Sequence, residues 1–315
     1  MNAFIRHSQD LVTSHEQTRA GFVEAALEKN KKAQPYIEAA KTLKTMASSV
    51  KNPMELLDID KIQPALLSAS GLSDKSLKYF TEDDKRYAIQ QLIEKFLIPA
   101  GEYFADELVY RYLLIKGDSL GGSMRNYVGA VAKIKVTRKI LSVLVTMGID
   151  YTVLKKDNKA RNLWDKMSYE YDYENAEDIC AIVWRYRDRS KILFFDTKVP
   201  IVNKNIDICL YKGDERSFNG GSIVRRGDLA LMFGELKGGI DPAGADEHWK
   251  TGNTALERIR NAFDNEVLTS FVGAAIERNM AEEIYEQLSS GTLANAANLT
   301  VEEQFTDYCE WIVTL

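Results

Sequence analysis

The spacing of apolar positions divides the chain into a helical first part and a strand-rich second part. Asn52 ahead of Pro53 predicts a helix start, a capping side chain followed by proline at the first helical position, before Met54, Leu56 and Leu57. Tyr87, Ile89, Leu92, Ile93, Phe96 and Leu97 form an apolar stripe at helical spacing that ends near Pro99, and Phe104, Leu108, Tyr112 and Leu113 form another that ends before Gly117. No strand is expected in this part. Beyond Arg125, Tyr127, Val128, Val131, Ile134, Leu141, Leu144 and Val145 continue at helical spacing, and Gly148 stands where a helix-ending glycine belongs.

The period then changes from that of a helix to that of a strand. Cys180 to Tyr186 and Lys191 to Asp196 are apolar, β-branched and aromatic, and the charged link from Arg187 to Ser190 predicts a hairpin. Ile206, Ile208 and Leu210 alternate with Asp207, Cys209 and Tyr211, the pattern of a half-buried strand. Leu229 to Leu236 is almost continuously apolar, as in a strand covered on both faces. A helix through Leu256, Ile259 and Phe263, a strand around Phe271 to Ile276, and a last helix opened by Thr300 with Glu303 three residues on complete the series. The expected class is α/β, with an all-helical N-terminal subdomain over residues 1–125 and a mixed sheet flanked by helices over residues 126–315.

Composition narrows the chemistry. No apolar run approaches the roughly 18 residues that cross a bilayer, and the N-terminus lacks a signal-peptide core, so no membrane partner is expected. Cys180, Cys209 and Cys309 are an odd number without metal-binding spacing, which predicts a reducing, cytoplasmic location. With only His7, His15 and His248 in the chain, any metal must be held by oxygens. The net charge of −5 does not exclude a polyanionic partner, because it is unevenly placed. Ten acidic residues and one basic residue lie between Asp264 and Leu315, which leaves 40 basic against 36 acidic in the remainder.

Two acids and a lysine stand out by position. Asp207 is expected on the face of its strand opposite Ile206 and Ile208, while Glu235 and Lys237, two apart, share a face at the end of the long apolar strand. Gly234, Gly238 and Gly239 flank them and allow close approach of backbone or substrate. Were the two strands neighbours, two carboxylates and an ammonium would converge. A hard cation such as Mg²⁺ takes few protein carboxylates, so this set suits phosphodiester hydrolysis. The expected ligands are Asp207, Glu235 and the Leu236 carbonyl, with Lys237 assisting the attacking water. A solvated edge pair is the plain alternative for such charges. Asp196 and Lys198, also two apart after an apolar run, form a rival site that lacks the flanking glycines.

An acid on one strand followed by Glu-x-Lys on the next resembles the PD-(D/E)xK nuclease superfamily, with Ile206 where the motif name has proline. The stretches Gly234-Glu-Leu-Lys-Gly-Gly-Ile-Asp-Pro-Ala-Gly-Ala-Asp-Glu-His-Trp-Lys250 and Lys116-Gly-Asp-Ser-Leu-Gly-Gly-Ser-Met-Arg-Asn126 are similar to the AvaI/BsoBI group of type II restriction endonucleases. The resemblance spans the chain and implies a restriction-endonuclease-like core. It further implies a homodimer that surrounds double-stranded DNA, needs Mg²⁺, cuts the palindrome CYCGRG and leaves 5′-phosphates. It also places His248 near the scissile phosphate as a candidate acid or base, and lifts Lys204 and Asp241 as residues within reach of base edges.

Gly117, Asp118, Ser119 and Leu120 spell the signature of the GDSL esterases, which makes a serine esterase built on Ser119 an alternative. Ala245 stands three residues before His248 where those enzymes carry an aspartate, and no base is evident for the serine. The glycines there predict a tight turn capped by Asp118 or Ser119, with Arg125 and Asn126 facing the phosphate backbone. A non-catalytic DNA-binding protein is the other alternative. Lys133, Lys135, Arg138 and Lys139 read as the polar face of a helix, whereas Lys155, Lys156, Lys159 and Arg161, and Arg225 with Arg226, are candidate phosphate contacts.

Overall fold

A computed structural model describes residues 2–73, 75–264 and 266–315, with the backbone alone at Arg125, Asn126 and Gly220. In chain order the helices are α1 (His15–Ala47), α2 (Gln63–Ala69), α3 (Glu82–Leu92), α4 (Phe104–Thr146), α5 (Tyr169–Glu174), α6 (Glu215–Phe218), α7 (Ala245–Ala262), α8 (Arg278–Ser289) and α9 (Glu302–Thr314). The strands are β1 (Tyr151–Lys155), β2 (Trp164–Lys166), β3 (Ile179–Tyr186), β4 (Arg189–Val199), β5 (Lys204–Lys212), β6 (Ala230–Lys237), β7 (Leu268–Gly273) and β8 (Asn295–Asn298). They form one sheet in the order β2-β1-β3-β4-β5-β6-β7-β8. Pairing is antiparallel up to β6 and parallel from β6 through β8. The parallel pairs need crossovers, and α7 and α8 supply them. Among the described residues no helix is long and apolar enough to cross a membrane.

The chain divides into two compact units, one of residues 1–22 with 127–315 and the other of residues 23–126. Residues 2–22 belong to the unit that holds the sheet. The Asn2 amide donates to the Ala296 and Gln304 carbonyls, and the Asn298 amide donates to the Leu11 carbonyl. Polar side chains at both ends of the chain thus satisfy each other's buried backbone, a pairing without a local sequence signal.

Residues 23–126 are helical, around a core of Leu43, Leu56, Leu66, Ile89, Leu92, Ile93, Leu97 and Leu108. Asn52 caps its turn as expected, accepting from the Met54 amide, although the turn it opens is a 3-10 helix, Pro53–Asp58. The expected turn at Gly117 to Leu120 does not form. Helix α4 runs unbroken through it, with its apolar neighbours on both sides outweighing about 1 kcal/mol per interior glycine. Gly148, at φ 65°, ends that helix, and the Gly148 and Ile149 amides turn back to the Val145 and Leu144 carbonyls.

The sheet is covered on both faces. One face packs Ala181, Phe194, Cys209, Phe233 and Phe271 under Trp249, Leu256 and Ile259 of α7 and Met280 and Ile284 of α8. The other packs Ile182, Leu193, Ile208, Met232 and Val272 under Ile140 and Leu144 of α4 and Phe305 and Ile312 of α9. The link between β3 and β4 is a two-residue turn with Arg187 and Asp188 both at positive φ, as tight hairpins require. Lys191, on β4, is fully buried. Its ammonium and the Trp184 indole both donate to the Val313 carbonyl, closing the C-terminal end of α9, and burial pulls its pKa down to about 8. The expected Thr300 and Glu303 box is absent; Val301 precedes α9 and Thr300 is held by Asn298 instead.

Candidate active site

Strands β5 and β6 are neighbours, so the condition for convergence is met. Their last paired positions are Ile208 and Gly234, and the next step along the same register sets Asp207 beside Glu235. Asp207 Oδ2 accepts from the Leu236 amide at 2.8 Å. Lys237 Nζ donates to Glu235 Oε2 at 2.8 Å and stands 3.9 Å from Asp207 Oδ2. Glu235 is buried at 5% exposure, whereas Asp207 and Lys237 remain partly open to solvent. Gathering these groups is costly, and their acidities record it. Burial, then the charge of Asp207, pushes the Glu235 carboxyl up to about 7. Burial also raises Asp207, against the pull of the Leu236 amide and the Lys237 ammonium, and Asp196 pushes it further up. Burial opposes the charged form of Lys237, yet Glu235 and Asp207 hold its pKa above the usual range.

The backbone at Asp207 departs from strict alternation. Ile206 packs on the α7 and α8 face and Ile208 on the α4 and α9 face, so the two do not share a side as the sequence pattern suggested. Strand β4 is irregular at the facing position. Asp196 on β4 adopts φ 48°, and the β4–β5 pairing keeps its register on either side of the Asp196 and Asp207 positions. Asp196, Asp207 and Glu235 therefore occupy consecutive positions in one row across three strands. Asp196, which in sequence looked like a rival acid, is the cross-strand neighbour of the preferred one. Its partner is Lys133 of α4, at 3.0 Å.

The glycines have distinct uses. A Cβ at Gly238 would lie 2.5 Å from the Ala132 Cβ and 2.8 Å from the Val128 carbonyl, so the end of β6 is packed hard against α4. We expect Gly238→Ala to destabilise the protein by about 1–3 kcal/mol through overpacking, measured by urea unfolding. An unchanged midpoint would show that α4 yields easily. At Gly252 of α7 a Cβ would stand 3.3 Å from the Phe271 ring and in ordinary contact, 3.6 Å, with Lys237 Cε. His248, exposed on α7, lies over the connecting loop, its Nε2 3.3 Å from where a Cβ at Gly244 would be. It forms no hydrogen bond or ion pair with the three catalytic candidates.

The remaining candidates are spread out. Lys204 is exposed at the start of β5, paired with Val199. Asp241 accepts from the Ala243 amide and caps the short turn Pro242–Gly244. The side chains of Arg125 and Asn126 lie outside the described residues. Ser119 is exposed within α4, not on a turn. Asp196, read in sequence as part of a rival pair with Lys198, and Lys133, read as part of a helix's polar face, are paired with each other.

The model of the family described as restriction endonuclease BsobI matches residues 1–315. The chain belongs to that family. It is 50% identical to the type II restriction enzyme BsoBI of Geobacillus stearothermophilus over 99% of this chain and 97% of that one. It is 47% identical to the type II restriction enzyme AvaI of Nostoc sp., over 99% of this chain and 98% of the relative, and equally so to AvaI of Anabaena variabilis. The protein is thus a type II restriction endonuclease, a DNA-cleaving hydrolase that acts on double-stranded DNA at specific sites, which leaves the serine-esterase and non-catalytic readings without support.

Proposed function

We propose that the enzyme hydrolyses both strands of duplex DNA with Mg²⁺ held by Asp207, Glu235 and the Leu236 carbonyl. The observation that carries this reading is the excess of negative charge in the Asp207 and Glu235 pair, which one lysine does not neutralise. Such a pair is stabilised by a further cation, and an all-oxygen donor set favours a hard divalent one. No cluster of three or more Asp, Glu, His or Cys side chains able to hold a metal occurs among the described residues. That sparse set fits an ion that keeps waters and takes a phosphate oxygen. When bound, the cation offsets charge developing on the phosphoryl group and makes bound water a stronger acid.

The chain's own residues do the positioning. Glu235 fixes the Lys237 ammonium, which orients the attacking water and offsets charge on the phosphorus-centred transition state. His248, exposed on α7 after the catalytic strand, passes a proton at the departing oxygen. Breaking the bond to the 3′ oxygen leaves a 5′-phosphate. Lys204, Asp241 and Arg125 contact the DNA, and the protein works as a homodimer in the cytoplasm. A two-fold dimer brings identical sites to both strands of the palindrome CYCGRG. The test is thermal melting with and without Mg²⁺. Mg²⁺ should raise the melting temperature of the wild type and leave Glu235→Gln unmoved; an equal rise in both would place the metal elsewhere.

A further inference from the structure

Lys133 and Asp196 form an ion pair that the chemistry above does not use, one strand from the catalytic carboxylates. We propose that Lys133 is a positioning residue for the DNA backbone, and that Asp196 holds its ammonium until a DNA phosphate takes the carboxylate's place. The inference rests on DNA cleavage by this family and not on the metal assignment.

The placement comes first. Asp196 stands opposite Asp207 in the row that continues to Glu235, so an anion reaching Lys133 lies beside the reacting centre. Like charges directly across a strand pair repel, and Asp196 lies in the left-handed region, at φ 48°, with its carboxylate on Lys133 of α4. Aspartate is among the residues that enter that region most readily, which lets the backbone turn the carboxylate toward Lys133.

The second point is which partner is fixed. The Lys133 ammonium lies 5.4 Å over the Phe195 ring, and its side chain is 20% exposed, whereas the Asp196 side chain is 61% exposed. The cation is therefore pre-placed and the carboxylate is at the surface, where ion pairs are weak enough to be exchanged. The third point is company. Burial raises the Cys180 thiol on β3, and the charges of Lys159, Lys133 and Lys156 all act on it in the opposite direction.

Binding of a duplex that the enzyme cuts, and of one that it does not, is to be measured in EDTA across a salt series. Lys133→Met should weaken both about tenfold at low salt and reduce the slope of log K against log salt by about one, since one phosphate contact is lost. Lys133→Arg should keep the slope. Asp196→Asn should tighten binding up to about fivefold, and that gain should vanish in the Lys133→Met background. An unchanged slope in a folded Lys133→Met protein overturns the proposal, as does a gain from Asp196→Asn that survives the loss of Lys133. If Lys133→Met does not fold, Lys133→Gln carries the same slope measurement. The exposed Asp196→Asn variant tests the exchange by itself, and unaltered affinity there contradicts it.

Discussion

Asp207→Ala should abolish cleavage while leaving the protein folded. Asp207 accepts from the Leu236 amide, stands 3.9 Å from the Lys237 ammonium and lies next to Glu235 across the strands. On the proposed assignment, removing it takes away a metal ligand, and with it the group that accepts from the Leu236 amide. A metal-centred loss of several kcal/mol of transition-state stabilisation corresponds to a rate lower by on the order of 10³-fold or more. Single-turnover cleavage of a plasmid, with melting of the same preparation, separates chemistry from folding. Full activity in the folded variant would remove Asp207 from the mechanism.

Glu235→Gln should produce two effects of opposite sign. Cleavage should fall as severely as for Asp207→Ala, because the buried carboxylate faces both Asp207 and Lys237. Stability of the metal-free protein should rise. The folded-state pKa of about 7 lies above the ordinary value of 4.5, so folding favours the protonated form. That contribution is fully present below the ordinary value and is lost as pH climbs through about 7, where the wild type must ionise a buried group. Glutamine carries no such charge and still accepts from Lys237. In EDTA at about pH 8.5 the variant should be more stable by about 2 kcal/mol, and the advantage should disappear by about pH 4.5. Denaturant unfolding at both pH values measures it. A wild type that is equally stable at the higher pH would show that Lys237 already neutralises the site.

The two acids and the lysine were legible in sequence because strand period alone puts Glu235 and Lys237 on one face, and the apolar run before them announces a covered strand. Adjacency of β5 and β6 was a condition that spacing leaves open; the structure supplies it. The irregular backbone at Asp207 was hidden, because it goes with an irregularity at the facing Asp196 on another strand. The short strands β1, β2 and β8 carried too little periodic signal to be read, whereas helix α8 was missed although Met280, Ala281, Ile284 and Leu288 recur at helical spacing. Gly117 misled because local propensity says turn while the apolar positions on either side sustain one long helix. The docking of the first 22 residues rests on Asn2, Asn298 and Gln304, polar residues whose partners lie almost a chain length away.

The central claim is that Asp207, Glu235 and Lys237 carry out Mg²⁺-dependent, site-specific hydrolysis. Its most direct test is digestion of a plasmid of known sequence in Mg²⁺ and in EDTA, with the ends mapped and their phosphates assigned. The account predicts discrete fragments in Mg²⁺ alone, with 5′-phosphate ends inside CYCGRG sites, and none from Asp207→Ala. Intact plasmid from folded wild-type protein in Mg²⁺, or equal cleavage in EDTA, would contradict it.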